Sequence, residues 1–340
     1  MRGAVSARVI LLVLGLAWLG LLACSLTLGR YPISLSNLSA ILLEPVMHTA
    51  AQGNDIEKTV VWTVRMPRIL VASLAGGGLA VAGAVLQGVF RNPLVGPHII
   101  GVSTGATVGG ALSILLGWGA VGLLASAFGS GMLSLLLVYA VTRTLPRANT
   151  LGVVLAGVVL SGFFAALVSL IQYVADSEEK LPVIVYWLMG SFSTATYAKL
   201  TLLAGPTLAA TALMLILAWR INILSLGDEE ARALHVNTGH LRWMLLTAVA
   251  IVVSAQVAVS GSIGWVGLVI PHAARLLTGP DHRKLLPVSF MMGAVFMVCV
   301  DNVARSLTGS EIPLSILTAI IGAPVFLCLL RRSQSRGWSG

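Results

Sequence analysis

INILSLGDEEARALHVNTGHLR, residues 221–242, is a polar island in a chain that is otherwise almost continuously apolar. A hydrophilic stretch framed by apolar runs implies contact with something outside the lipid. Asp228, Glu229 and Glu230 follow Gly227 directly. They therefore fall in the first turn of a short helix, where the positive end of its dipole favours acids. A second break at Asn237, Thr238 and Gly239 ends that helix before the apolar run from Leu241 begins. The island is expected to be a compact helix-turn-helix elbow on a membrane surface, not a loose connector.

The rest of the chain sets the solvent. Of 340 residues, 57% are apolar and only 10% charged, with a mean hydropathy of +0.95. Such a chain has too few polar groups to cover a soluble globule. A spanning helix needs roughly 20 apolar residues. About ten such runs can be marked, at 8–28, 63–89, 95–117, 119–142, 149–173, 198–220, 241–260, 263–279, 285–304 and 313–330. No soluble domain, low-complexity tract or long linker separates them. The expectation is one all-α polytopic domain over 1–340, with its elbow at 222–240. The long polar excursions are Gly29 to Val61, and Ala175 to Lys180 followed by an amphipathic YWLMGSF that is expected along the surface.

Alternate loops divide the Lys and Arg residues fourteen to seven. The richer set includes Arg2, Arg8, Arg91, Arg147, Arg232, Arg242, Arg332 and Arg336; the poorer includes Arg30, Lys58, Lys180 and Lys199. Basic loops stay in the cytoplasm, which places both termini and the elbow inside. The net charge of +9 is thus a topology signal, and no nucleic-acid partner is implied. Cys24, Cys299 and Cys328 lie in apolar runs without metal or redox spacing. Arg2 and Arg8 before an apolar run ending in Leu21-Leu22-Ala23-Cys24 imitate a cleavable lipoprotein signal. An uncleaved first span, however, keeps the span count even and both basic ends on one side.

Glycines at 101, 105 and 109 form a helical stripe, and Gly76, Gly77, Gly78 and Gly83 form another. Two readings stay open: tight bundle packing, or a moving seam between helices or subunits. Gly96-Pro97-His98 and Ile270-Pro271-His272 echo one another in the two halves, as inverted repeats of transporters can.

Catalytic patterns are missing. There is no G-x-x-x-x-G-K-[ST] loop, so the chain is not expected to hydrolyse ATP itself. The six histidines, His48 among them, lack ligand spacing, and neither a metal site nor a cofactor is expected. Gly101 to Gly105 matches G-x-S-x-G but sits in an apolar helical stretch instead of a strand-turn-helix elbow. Charges do gather at the outer span ends. Arg65 and Arg68 flank Pro67, Asp301 and Arg305 are four apart, and Glu311 follows. These read either as an Asp301–Arg305 pair with snorkelling arginines, or as a cationic rim receiving acids of an external protein. A path through the bundle is expected to be apolar, with scattered Gln87, Gln172 and Gln256.

Four segments carry a resemblance: RMPRILVASLAGGGLAVAGAVLQGVFRNPLVGPHIIGVSTGA at 65–106, LSLGDEEARALHVN at 224–237, the 260–294 run beginning SGSIGWVGLVIPHAARLL, and VDNVARSLTGSEIPLSILTAIIGAPVF at 300–326. Together they resemble the permease subunits of type II ABC importers, the FecCD/BtuC family that serves vitamin B12, haem and iron-siderophore complexes. The resemblance implies a BtuC-like fold of ten helices with inverted-repeat character, in the cytoplasmic (inner) membrane of a bacterium or archaeon. It also implies a homodimer, two ATPase subunits that use ATP and Mg, and a periplasmic or extracellular substrate-binding protein. On this basis Leu226, Gly227, Asp228, Glu229, Ala231, Leu234, His235, Val236 and Asn237 belong to the ATPase-coupling segment. Arg65, Arg68 and Arg305 resemble residues that dock the binding protein. Asn92, Leu94 and Thr150 fall at the cytoplasmic gate.

Two departures stand out, His235 where many relatives have Gly and Trp265 where Phe is usual. For cargo the resemblance implies a metal chelate, with a molybdate- or tungstate-type oxyanion as the alternative. The competing class is an ion-gradient-driven secondary transporter, which would call for intramembrane acids; the only acid clearly inside a span is Asp301.

Overall fold

Backbone N–H and C=O groups find no water in lipid, so a chain of long apolar runs is driven into helices that satisfy them internally. The computed structural model describes residues 6–29, 31–47, 55–144 and 150–334, and it is helical without strands among them. Arg2, Arg30, His48, Arg147 and Arg336 lie outside the described residues.

The chain begins with α1 (Ala7–Thr27), α2 (Leu35–Met47) and α3 (Asp55–Thr59). A π-helical turn, Val60–Arg65, leads from α3 into α4 (Met66–Val89). Next come α5 (Val102–Leu116), α6 (Gly119–Thr144), α7 (Thr150–Val174) and the short α8 (Lys180–Leu188). The elbow region holds α9 (Tyr197–Ile216), α10 (Ala218–Leu226), α11 (Asp228–Ala233) and α12 (Thr238–Ser260). The chain closes with α13 (Val266–Thr278), α14 (His282–Ser306) and α15 (Leu314–Gln334). Seven of these segments are long and apolar enough to span a membrane, and α2, α5, α13 and α15 hold shorter apolar stretches.

Three boundaries differ from the hydropathy reading, each for a backbone reason. The run 95–117 becomes helical only at Val102, after Gly101 adopts φ +78°, and 263–279 only at Val266. The run 198–220 breaks at Leu217, so its last turn belongs to α10 and the elbow. The excursion from Gly29 to Val61 is not plain loop, since α2 buries Leu38 and Ile41 in the core.

At the centre lies α4, buried along almost its whole length. Its glycines explain how. A Cβ on Gly76 would meet the Gly293 carbonyl of α14, one on Gly77 the Phe290 ring, and one on Gly83 the Gly267 backbone of α13. The stripe at Gly105 and Gly109 lies on Ser126, Ser130 and Ser134 of α6 in the same manner. Both stripes therefore pack helices closely inside the subunit. On α8, Ile184 is fully buried and the Trp187 indole lies on Gly110, which seats the amphipathic segment against the bundle end.

The two non-helical breaks, 91–101 and 261–265, face each other, with Gly267 against Pro97 and a cavity of about 250 Å³ between them. The motif echo does not mark this correspondence. Pro97 and His98 lie in a break, whereas Pro271 and His272 are inside α13.

Candidate functional site

The elbow is built as a rigid bracket. Gly227, at φ +148° and ψ 162°, turns the chain sharply between α10 and α11. Asp228, Glu229 and Glu230 then occupy the first turn of α11, where the helix dipole stabilises them. Asp228 reaches Arg242 of α12 at 2.7 Å, and Arg242 is buried. Asn222 of α10 donates to Asp281 at 2.7 Å and accepts from the His282 amide at 2.8 Å, which fixes α10 to the start of α14. Burial alone would raise the Asp281 carboxyl. The hydrogen bonds from Asn222 and the Arg283 amide, with nearby Arg283 and Lys284, outweigh it and hold the group below its usual range.

The far end of α11 closes on His235. Its φ is +59°, its amide bonds the Arg232 carbonyl, and the Val236 amide reaches back to Ala231 at 3.0 Å. This is a Schellman closure, whose left-handed position is most often glycine. Histidine keeps the turn and carries the strain instead. Asn237 then caps α12, accepting from the His240 amide at 3.0 Å. Ala231 is buried, while Leu226 and Leu234 stand 63% and 56% exposed. Two large apolar side chains are thus presented on a polar knuckle beside the exposed Glu229 and Glu230.

The gate residues lie next to it. After α4, Arg91 takes φ +51°, and Asn92 Oδ1 accepts from the Leu94 amide at 2.9 Å, forming a tight turn. Leu94 is half exposed, and Thr150 opens α7. A cavity of about 700 Å³ is lined by Asn92, Leu94 and Thr150 on one side and by Gly227, Asp228, Glu229 and Glu230 on the other. Residues from three distant stretches of sequence therefore share one space.

The opposite end holds the arginines. Arg68 is clamped between Asp301 at 2.8 Å and Glu311 at 2.7 Å. Arg305 donates to the Ser25 carbonyl, Ser25 Oγ and Asn302 Oδ1 at 2.6–2.7 Å. Arg65 donates to the backbone carbonyls of Leu26 and Tyr31. The pairing read from spacing is present but secondary: Asp301 takes Arg68 as its close partner at 2.8 Å and keeps Arg305 as an i,i+4 ion pair at 4.0 Å. All three arginines are buried, at 4%, 7% and 9% exposure. None snorkels. Arg305 Nε has no hydrogen-bond acceptor, so one donor at this end stays open to an acid from a partner.

The expected polar path residues also need correction. Gln87 and Gln256 are 1% exposed and bond backbone carbonyls of Leu268 and Gly261. Gln256 serves the 261–265 break and Gln87 the first turn of α13, both from inside the subunit. Trp265, at φ +67°, finds its room over Gly322 of α15. Sequence reading missed Arg242, Asn222 and Asp281 as the braces of the elbow; a charge 14 residues from Asp228 offers no helical spacing to flag it. Among the described residues no cluster of His, Cys, Asp and Glu could hold a metal.

Comparison with known proteins matches the FecCD transport family model over residues 15–332. The chain is 48% identical over 313 residues to the molybdate import system permease protein MolB of Haemophilus influenzae, covering 92% of each. It is 39% identical to the cobalamin import system permease protein BtuC of Halobacterium salinarum, over 83% of this chain and 76% of that one. A solved inward-facing structure assigned to the metal-chelate type of ABC transporter superposes with a TM-score of 0.87 at 46% identity, covering 96% of this chain and 99% of the other.

Proposed function

The chain belongs to the FecCD transport family, and from that premise we propose how it works as the membrane permease of an ATP-driven, binding-protein-dependent importer. Two copies form the path, with a pair of ATPase subunits beneath the elbows and a substrate-binding protein at the far end. The excess of Lys and Arg in the elbow-side loops supports cytoplasmic termini in the inner membrane.

One observation carries the mechanism: the elbow acids and the gate residues line the same cavity. A partner that grips Leu226, Leu234 and Glu229 moves α11, and the Asp228–Arg242 and Asn222–Asp281 bonds transmit that movement to α12 and α14. Leu94 and Thr150 then part or close. ATP binding supplies the differential interaction between the two states, and the permease supplies the levers. Docking of the binding protein belongs at the arginine end. There Arg65, Arg68 and Arg305 set the shape of the outer loops from beneath, and exposed groups such as Leu307 and Ser310 meet the partner.

The proposed cargo is a metal chelate, a reading supported by the cobalamin permease and the metal-chelate-type structure among its relatives. A second reading, a molybdate- or tungstate-type oxyanion, is favoured by the 48% identity to a molybdate permease over 92% of both chains. A gradient-driven secondary transporter fares worse, because Asp301, the buried intramembrane acid, is already paired with Arg68. Proteoliposomes decide both questions. Uptake that requires ATP, the ATPase and the binding protein is expected, with ferric-siderophore, haem, cobalamin and molybdate offered in turn. Uptake by the lone permease under an ion gradient would overturn the importer reading.

A further inference from the structure

At the end of the bundle opposite the elbow, a cavity of about 480 Å³ opens between α5, α6, α8, α9 and α12. Its mouth is polar. Lys199 donates to Thr194 Oγ1 at 2.6 Å, and Ser191 bonds Ser193 at 2.9 Å. No carboxylate is among the lining residues, so Lys199 faces only hydroxyls. Deeper in, Ser113 is 1% exposed and its Oγ has no hydrogen-bond partner. A buried hydroxyl without a partner is costly, and it adds a polar group to the floor of this cavity.

One turn further along the same helices the character changes. A second cavity of about 360 Å³, lined by Leu124, Phe128, Leu202, Pro206 and Ala255 among others, is almost wholly apolar and shares Val259 with the first. Lys199, Leu202 and Pro206 follow at i, i+3 and i+7 on α9, so cation and trough lie on one stripe. Tyr186 and Trp187 flank the polar end, and such amphipathic rings favour the membrane–water interface.

A cationic, hydroxyl-rich mouth continuous with an apolar trough has the chemistry of an amphiphile with an anionic head. We propose that this furrow binds a phospholipid of the leaflet opposite the elbow, its phosphate at Lys199, Thr194 and Ser191 and one acyl chain along α9 and α12. Basic pockets between membrane helices recognise anionic headgroups in this way. The lipid lies along the packed α9–α12 seam, and the site is independent of the cargo.

The test compares wild type, Lys199→Glu and Lys199→Arg, each purified full length in mild detergent, by mass spectrometry of retained phospholipid. Phosphatidylglycerol with a photoreactive acyl chain is then crosslinked in proteoliposomes. Retention is expected to fall about fivefold in Lys199→Glu and to persist in Lys199→Arg, with crosslinks in the peptides holding Leu202 and Ala255. Equal retention in all three proteins, an equal loss in both variants, or crosslinks spread evenly around the bundle would overturn the proposal. Release of the signal by excess inorganic phosphate would overturn it in favour of a soluble-oxyanion site.

Discussion

The two ends of the bundle treat charge in opposite ways. At the arginine end, Arg65, Arg68, Arg305 and Asp301 are all buried and bonded to one another or to backbone carbonyls. At the elbow, one buried arginine braces Asp228 while Glu229, Glu230 and Arg232 stand in solvent beside Leu226 and Leu234. A buried, satisfied charge defines shape, because moving it leaves a desolvated partner behind. An exposed charge on a rigid support is available to another molecule. Charge at a span end therefore does not by itself identify a docking surface; its burial decides which of the two it is.

The sharpest way to break this contrast is Arg68→Ala. It leaves buried Asp301 with only Arg305 at 4.0 Å and is expected to cost about 3 kcal/mol, read as a lowered thermal midpoint in detergent. If Asp301 were in effect solvated, the loss would stay within a few tenths. Arg242→Ala at the elbow should cost less, about 1–3 kcal/mol, because Asp228 can turn to water through its 28% exposed side chain. A larger effect here than at Arg68 would reverse the comparison. Leu234→Asp should leave the midpoint unchanged and weaken ATPase attachment about tenfold, measured by titrating the ATPase onto reconstituted permease. Unaltered attachment would remove Leu234 from the contact. The smallest effect is His235→Gly, expected to stabilise by about 1 kcal/mol or less by relieving a left-handed residue. Destabilisation would mean that the imidazole holds a contact worth more than the strain.

Much of this was legible in the chain. Hydropathy places the spans, and the position of Gly227 before three acids places α11, because both depend on local chemistry. What stayed hidden depends on backbone and distance. The breaks at 91–101 and 261–265 extend into the apolar runs that begin at 95 and 263, and hydropathy is blind to a left-handed Gly101 or Trp265. The partner of Asp301 lies 233 residues away at Arg68, whereas spacing offered only the neighbour four residues on. The same limit applies to Gln87 and Gln256, whose polarity read as a path lining but whose amides bond the backbone of α13 and of the 261–265 break. The glycine stripes were visible, yet only their neighbours, Gly293 and Gly267 for α4 and the serines of α6 for α5, say which surface they meet.

The meeting of Gly83 with the Gly267 backbone has a mechanical corollary. With no side chains between them, these helices have no compliant layer in which to glide, and a slip of one residue would drive a methyl group into a carbonyl. α4 and α13 must then travel as a single strut. Deformation is left to the thinly covered periphery, α1 with 11% of its apolar window buried and α6, α7 and α9 with 28% each.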